Sequence, residues 1–171
     1  MKNKKNIEED LDAQMYQYIC KEMKKNHYNH YEISNFSKLG YESQHNTTYW
    51  NNEEYYGFGL GSSSYIGNKR IENTRSLTEY NKNNRIKNIE VLSEEDKIEY
   101  EIICNLRKKE GISLTEFQRK YQKELREIFH YEDLVKKGLL EEIENHLLIP
   151  EDKFYISNSI LVQLLGRKEY E

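Results

Sequence analysis

The chain has few of the residues that mark a secreted, membrane-spanning or metal-cluster protein. Its 171 residues include one Pro and two Cys. Cys20 and Cys104 are far apart, and no CxxC or CxxxCxxC occurs anywhere. Zinc and iron–sulfur centres need several closely spaced ligands, so neither is encoded, and two separate, buried, reduced thiols are expected. No apolar run approaches the roughly 18 residues that cross a bilayer. The basic opening Met1-Lys2-Asn3-Lys4-Lys5 runs into acidic residues after Ile7, which is no signal peptide, so a cytoplasmic protein is expected. A dominant charge is also lacking. With 26 Lys and Arg against 30 Asp and Glu, the net charge of -4 gives no field that would gather nucleic acid or anionic lipid.

What is present is polar and aromatic. Mean hydropathy is -1.01, near the range where burial fails to offset chain entropy. Fifteen Tyr, five Phe and one Trp argue against disorder, and a modest, tyrosine-rich core is expected. Ile7, Leu11, Met15, Tyr18, Ile19 and Met23 recur at helical spacing up to the polar stretch Asn26 to His30. Tyr31 to Phe36 alternates apolar and polar residues and reads as a strand. Gly40, Asn46 and Asn51-Asn52 read as loop, and Gly57, Gly59, Gly61 and Gly67 leave Tyr55 to Ile66 little helix propensity. Ser76 to Asn88 reads as a polar helix or connector.

The C-terminal half is better punctuated. Ser93 precedes Glu94, Glu95 and Asp96, an N-cap followed by first-turn acids, and Ile98, Ile102 and Leu106 continue a helix toward Gly111. Ser113-Leu114-Thr115-Glu116 has capping-box spacing, and Leu125 to Lys137 reads as a third helix closed by Gly138. Two short strands flank Glu144-Asn145, and a last helix carries Ile156, Ile160, Leu161, Leu164 and Leu165. Helices and a hairpin from about Leu92 to Leu165 suggest a winged-helix-like domain. The preceding residues offer one helix, one strand and long loops, too little to cover a strand on both faces. The expectation is therefore an α/β fragment over 1–90, ending a larger domain whose beginning is missing, then a mainly α domain over 91–171. Tyr31 to Phe36 would keep an unpaired edge.

Three motifs in order carry a resemblance: Tyr31-Glu32-Ile33-Ser34-Asn35-Phe36, then His45-Asn46-Thr47-Thr48-Tyr49-Trp50, then Tyr55-Tyr56-Gly57-Phe58-Gly59-Leu60-Gly61. With Gly111 to Phe117, Lys137 to Leu140 and Ser157 to Leu161, the chain resembles the C-terminal part of the HemW-like radical S-adenosylmethionine (SAM) heme chaperones, in the oxygen-independent coproporphyrinogen III oxidase-like group. That family has a partial β/α barrel whose CxxxCxxC binds a four-iron four-sulfur cluster that cleaves SAM. The motif is absent here. The resemblance implies the last helix and strand of that barrel, a C-terminal domain, and heme carried to acceptor proteins, membrane-associated ones included, together with the N-terminal barrel portion. It implies no radical SAM chemistry by this chain's own residues. The alternative it leaves open is a fragment of a radical SAM enzyme of porphyrin biosynthesis.

The resemblance also implies site residues. The HNxxYW motif makes His45 the heme-iron ligand, with Asn46, Tyr49 and Trp50 around it, and an imidazole beside flat aromatic surface suits heme. Ser37 matches the small residue whose backbone approaches SAM. Where many members read Gly-Ala-His-Ser, this chain reads Gly61-Ser62-Ser63-Ser64, which removes a second imidazole. Gly57-x-Gly59-x-Gly61 departs from GxGxxG and reads as a tight backbone passage, not a phosphate cradle. His27 and His30 stand at i, i+3 without a third ligand and read as solvent-facing. His130 and His146 have no partner at metal spacing, and Arg107-Lys108-Lys109 reads as solvated helix surface. Leu125 to Lys137 lacks the basic stripe that duplex binding needs, so no nucleic-acid partner is expected.

Overall fold

The computed structural model describes residues 2–166. In chain order its elements are α1 (Lys2–Lys25), β1 (Asn29–Glu32), β2 (Asn35–Ser37), α2 (Gln44–Trp50), β3 (Ser63–Ile66), β4 (Lys69–Asn73), α3 (Leu77–Asn81), β5 (Ile86–Val91) and α4 (Glu94–Asn105). There follow β6 (Ile112–Ser113), α5 (Leu114–Tyr121), α6 (Leu125–Ile128), α7 (Glu132–Lys136), β7 (Glu141–Ile143), β8 (His146–Leu148), a 3-10 turn (Glu151–Ile156) and α8 (Ser157–Leu164). Contacts gather these into two compact units, one from Met1–Ser43 with Asn105–Glu171 and one from Gln44–Cys104. The content is mixed α/β.

In the first unit, α1 forms where the apolar spacing predicts it and ends at Lys25, just before His27 takes the left-handed φ of 63°. Its expected inner face is largely exposed at Leu11, Met15, Tyr18 and Ile19. Tyr16 anchors the helix by donating its hydroxyl to the Ile33 carbonyl at 3.0 Å.

Tyr31 to Phe36 is not one strand. It is an antiparallel hairpin, β1 with β2, in which His30 faces Phe36 and Glu32 faces Asn35. The acidic residue explains the turn. The wholly buried Glu32 carboxylate accepts from the Ser34 N–H at 3.2 Å and from the Asn35 side-chain amide, so it satisfies the chain as it reverses. The other edge of β1 is paired too: Ile33 N–H donates to the Arg107 carbonyl at 3.0 Å and Lys109 N–H to the Tyr31 carbonyl at 3.1 Å. The unpaired edge expected from the sequence is thus filled. Arg107 to Lys109 lies past the end of α4 and pairs with β1, and does not form the helix surface it suggested.

The capping serine starts α5 as expected, its hydroxyl accepting from Glu116 N–H. β6, β8 and β7 form a small antiparallel sheet whose β7–β8 turn places Glu144 and Asn145 at φ 47° and 70°. The helix expected over 125–137 divides at Phe129, which is extended (φ -126°, ψ 121°). Ile128-Phe129-His130-Tyr131 is a run of weak helix formers, and the break accompanies the burial of Leu125, Tyr131 and Leu134. The core of this unit holds Leu106, Ile112, Phe117, Leu140, Leu147, Ile149, Phe154 and Ile160, all nearly inaccessible. It is aliphatic with a few Phe, not the tyrosine-rich core expected, because the phenol bodies lie mostly at partly wet positions.

The second unit contains a three-stranded antiparallel sheet, β3-β4-β5, which the sequence did not reveal. Gly67, at φ 61°, makes the tight β3–β4 turn. β5 mixes Ile and Val with Lys, Asn and Glu on a fully exposed edge strand, so its apolar residues carry no burial pattern. Ser93 and Asp96 cap each other at the start of α4: the Asp96 carboxylate accepts from the Ser93 N–H at 2.9 Å, and Asp96 N–H donates to the Ser93 hydroxyl at 3.1 Å. Tyr65, Leu92, Ile98 and Ile102 are its buried hydrophobic residues.

Candidate functional site

His45, Asn46, Tyr49 and Trp50 lie on α2, where a loop was expected. The helix stops at Trp50, Asn51 N–H closes the last turn onto the Thr47 carbonyl at 2.8 Å, and the chain then turns at Asn52, whose φ of 52° suits Asn. Helical spacing orders the motif: residues four apart lie one above the other, so His45 meets Tyr49 and Asn46 lies below Trp50. The Tyr49 hydroxyl is 3.1 Å from His45 Nε2, and the two rings meet edge to face at 4.6 Å. Tyr49 then packs on Tyr55 at 4.4 Å, again edge to face. His45 is exposed, while Asn46, Tyr49 and Trp50 are half-buried.

Behind this helix is a cavity of about 410 Å³, lined by Asn46, Tyr49, Trp50, Tyr55, Arg70 and Tyr100 among others. The Arg70 guanidinium lies 3.8 Å from the Tyr100 ring centre and 4.8 Å from that of Tyr65. Its Nη2 donates to Asn52 Oδ1 at 3.2 Å, and Asn52 Nδ2 donates to Glu101 Oε2 at 3.2 Å. Burial raises the Tyr55 phenol pKa, and the nearby Arg70 charge counters part of that rise. The sequence reading missed Tyr55, Arg70 and Tyr100 as partners of the motif. Tyr55 stood in plain view three residues past Asn52, whereas Arg70 belongs to a strand that the pattern concealed.

Gly57 explains part of the glycine run. A Cβ there would overlap the Ser63 carbonyl, and Gly59 and Gly61 have φ of 95° and 65°. This is close backbone passage, as the spacing suggested.

Ser37 lies in the first unit, buried in β2, with a hydroxyl that has no protein partner. His30 is not solvent-facing. It is 4% exposed and stacks on Phe36 at 4.2 Å, with Nε2 at 3.0 Å from the Ile33 carbonyl. His27 is exposed. Cys20 and Cys104 are half-buried and in no disulfide, a less complete burial than expected. Among the described residues no group of three or more His, Cys, Asp or Glu is placed to hold a metal. A four-iron cluster requires several thiolates, so these residues do not fit one. Among the described residues no helix is long and apolar enough to cross a membrane.

Comparison with known proteins agrees with the motifs. Residues 92–152 match the HemN C-terminal domain family. Heme chaperone HemW of Lactococcus lactis subsp. lactis (strain IL1403) is 38% identical over 163 residues, covering 92% of this chain and 43% of that protein. Heme chaperone HemW of Bacillus subtilis (strain 168) is 34% identical over 165 residues, covering 92% and 44%. The solved coproporphyrinogen III oxidase HemN from Escherichia coli, a radical SAM enzyme, superposes with a TM-score of 0.67 at 14% identity, over 85% of this chain and 39% of its own. That likeness is one of fold.

In fold the chain is similar to HemN, and residues 92–152 match the HemN C-terminal domain. Over most of its length the chain is similar to the HemW heme chaperones. It spans less than half the length of these curated relatives.

Proposed function

We propose that this chain is the heme-binding portion of a heme chaperone, taking heme as cargo on α2 and passing it to acceptor proteins. The observation that carries the reading is His45: an exposed imidazole one helical turn from Tyr49, which itself lines an aromatic cavity. Neutral imidazole is a good axial ligand for iron, and Tyr49 and Trp50 offer apolar surface beside it. The relatives at 34–38% identity carry the name of heme chaperone, which supports the cargo. Acceptors would include membrane-associated proteins, the N-terminal barrel portion of a full-length protein would be a further partner, and the setting would be the cytoplasm.

Residues 1–90 would close a partial β/α barrel and residues 91–171 would form a winged-helix-like domain, a reading that the order α4, β6, α5, α6, α7, β7, β8 supports, whereas contacts group residues 1–43 with 105–171. Ser37 would face SAM through its backbone in the full-length protein. SAM cleavage itself would need a cluster held elsewhere.

Hemin titrated into the chain and into His45→Ala, followed by absorbance with the fold checked by circular dichroism, tests the proposal. A saturable axial-ligand spectrum lost in the variant is expected. Equal binding by both proteins would reduce the association to unspecific adhesion to exposed aromatics.

A further inference from the structure

Arg70 is a poor fit to a purely structural role. Its charge sits between Tyr65 and Tyr100 at the wall of the cavity behind α2. Its side chain reaches Asn52 through Nη2 and also engages the Tyr55 phenol, yet Nε is buried without a hydrogen-bond partner. Among the described residues no carboxylate lies within ion-pair distance of this guanidinium: Glu90 stands across the strand pair from Arg70 without closing on it, and Glu101 takes the Asn52 amide. A half-buried cation whose donors are not all used is costly unless an anion completes it. Arginine's planar fork matches a carboxylate, and aromatic faces on either side hold it in one orientation.

We infer that Arg70 is a binding residue for the cargo, and that it recognises the acidic substituent of a flat, carboxylate-bearing ligand, a heme propionate, at the cavity behind α2. The inference rests on the heme reading above. It adds what that reading leaves open, namely how the site distinguishes an acid-bearing macrocycle from a merely apolar one. Tyr49 and Trp50 receive ring surface without regard to the periphery. Arg70 reads the periphery. Asn52 keeps the guanidinium oriented by accepting from Nη2 while donating to Glu101, so the Glu101 carboxylate is engaged at the amide and does not compete directly for the fork.

The test compares hemin with hemin dimethyl ester, which keeps the iron and the ring but has no free carboxylate. On the unaltered chain, the ester should bind about tenfold more weakly than hemin, the factor that one charge-assisted hydrogen bond supplies. Arg70→Gln should lose a similar factor for hemin and bind acid and ester alike, while the His45-dependent absorbance band persists. Arg70→Lys, which keeps charge but not the fork, should fall between. The acid and ester comparison on the unaltered chain decides even if a variant fails to fold. Equal, His45-dependent binding of both ligands would overturn the assignment of Arg70 and leave the heme reading intact. No saturable hemin binding at all would overturn both.

Discussion

Tyr49 both shapes the candidate site and occupies it. Its hydroxyl sits 3.1 Å from the nitrogen of His45 that an iron atom would most readily reach at the end of an exposed side chain. Iron at Nε2 must displace that contact, and one such hydrogen bond is worth about 1 kcal/mol, a factor of roughly five in affinity. Tyr49→Phe keeps the aromatic surface and removes the competitor, so hemin should bind several-fold more tightly. Weaker binding in the same titration would mean that the hydroxyl helps to hold the imidazole for ligation through Nδ1. The sequence displayed the motif but not this pairing, because it placed His45 in a loop. Helical spacing of four residues is what brings His45 onto Tyr49 within HNxxYW.

At the level of elements, legibility followed the strength of local signals. Ser93 and Ser113, each followed by an acid three residues on, marked true helix starts. Gly138 marked an end. The hairpin at Glu32 was misread because an alternating run of six residues looks the same whether it is one strand or two joined by a two-residue turn, and only the buried Glu32 carboxylate reveals the reversal. The β3-β4-β5 sheet was invisible because its strands are rich in Ser, Lys, Glu and Asn and its edge is exposed throughout. The glycine run was legible because it needs space more than pattern. Gly57→Ala should therefore destabilise the chain by about 2 kcal/mol, the scale of forced overpacking, as its methyl meets the Ser63 backbone. Gly40→Ala, with open space around it, would be strained only by its φ of 81° and should cost less. Denaturant midpoints of the two variants check the order.

On the scale of the whole molecule, the aliphatic core of the first unit is accompanied by one partly buried ionic cluster that contributes to the acid limb of stability. Burial raises the Glu151 carboxyl, but the Lys109 hydrogen bond at 3.0 Å and its charge, with His30 adding to them, leave it below its ordinary value of 4.5. A carboxyl lowered in the folded state contributes stability above its unfolded pKa and loses it as pH falls through the folded one. Lys109→Met should flatten that acid limb, so its deficit relative to the unaltered chain, read from urea midpoints, should shrink below the carboxylate range. A deficit independent of pH would remove Glu151 from the account.

The proposed function stands on ligation of iron by His45. Its most direct test is the absorbance of hemin bound to His45→Gly, recorded with and without free imidazole. The account predicts that the axial-ligand band disappears in the variant and returns when imidazole fills the place of the missing side chain. A band that survives the substitution unchanged, without imidazole, would place the ligand elsewhere and contradict it.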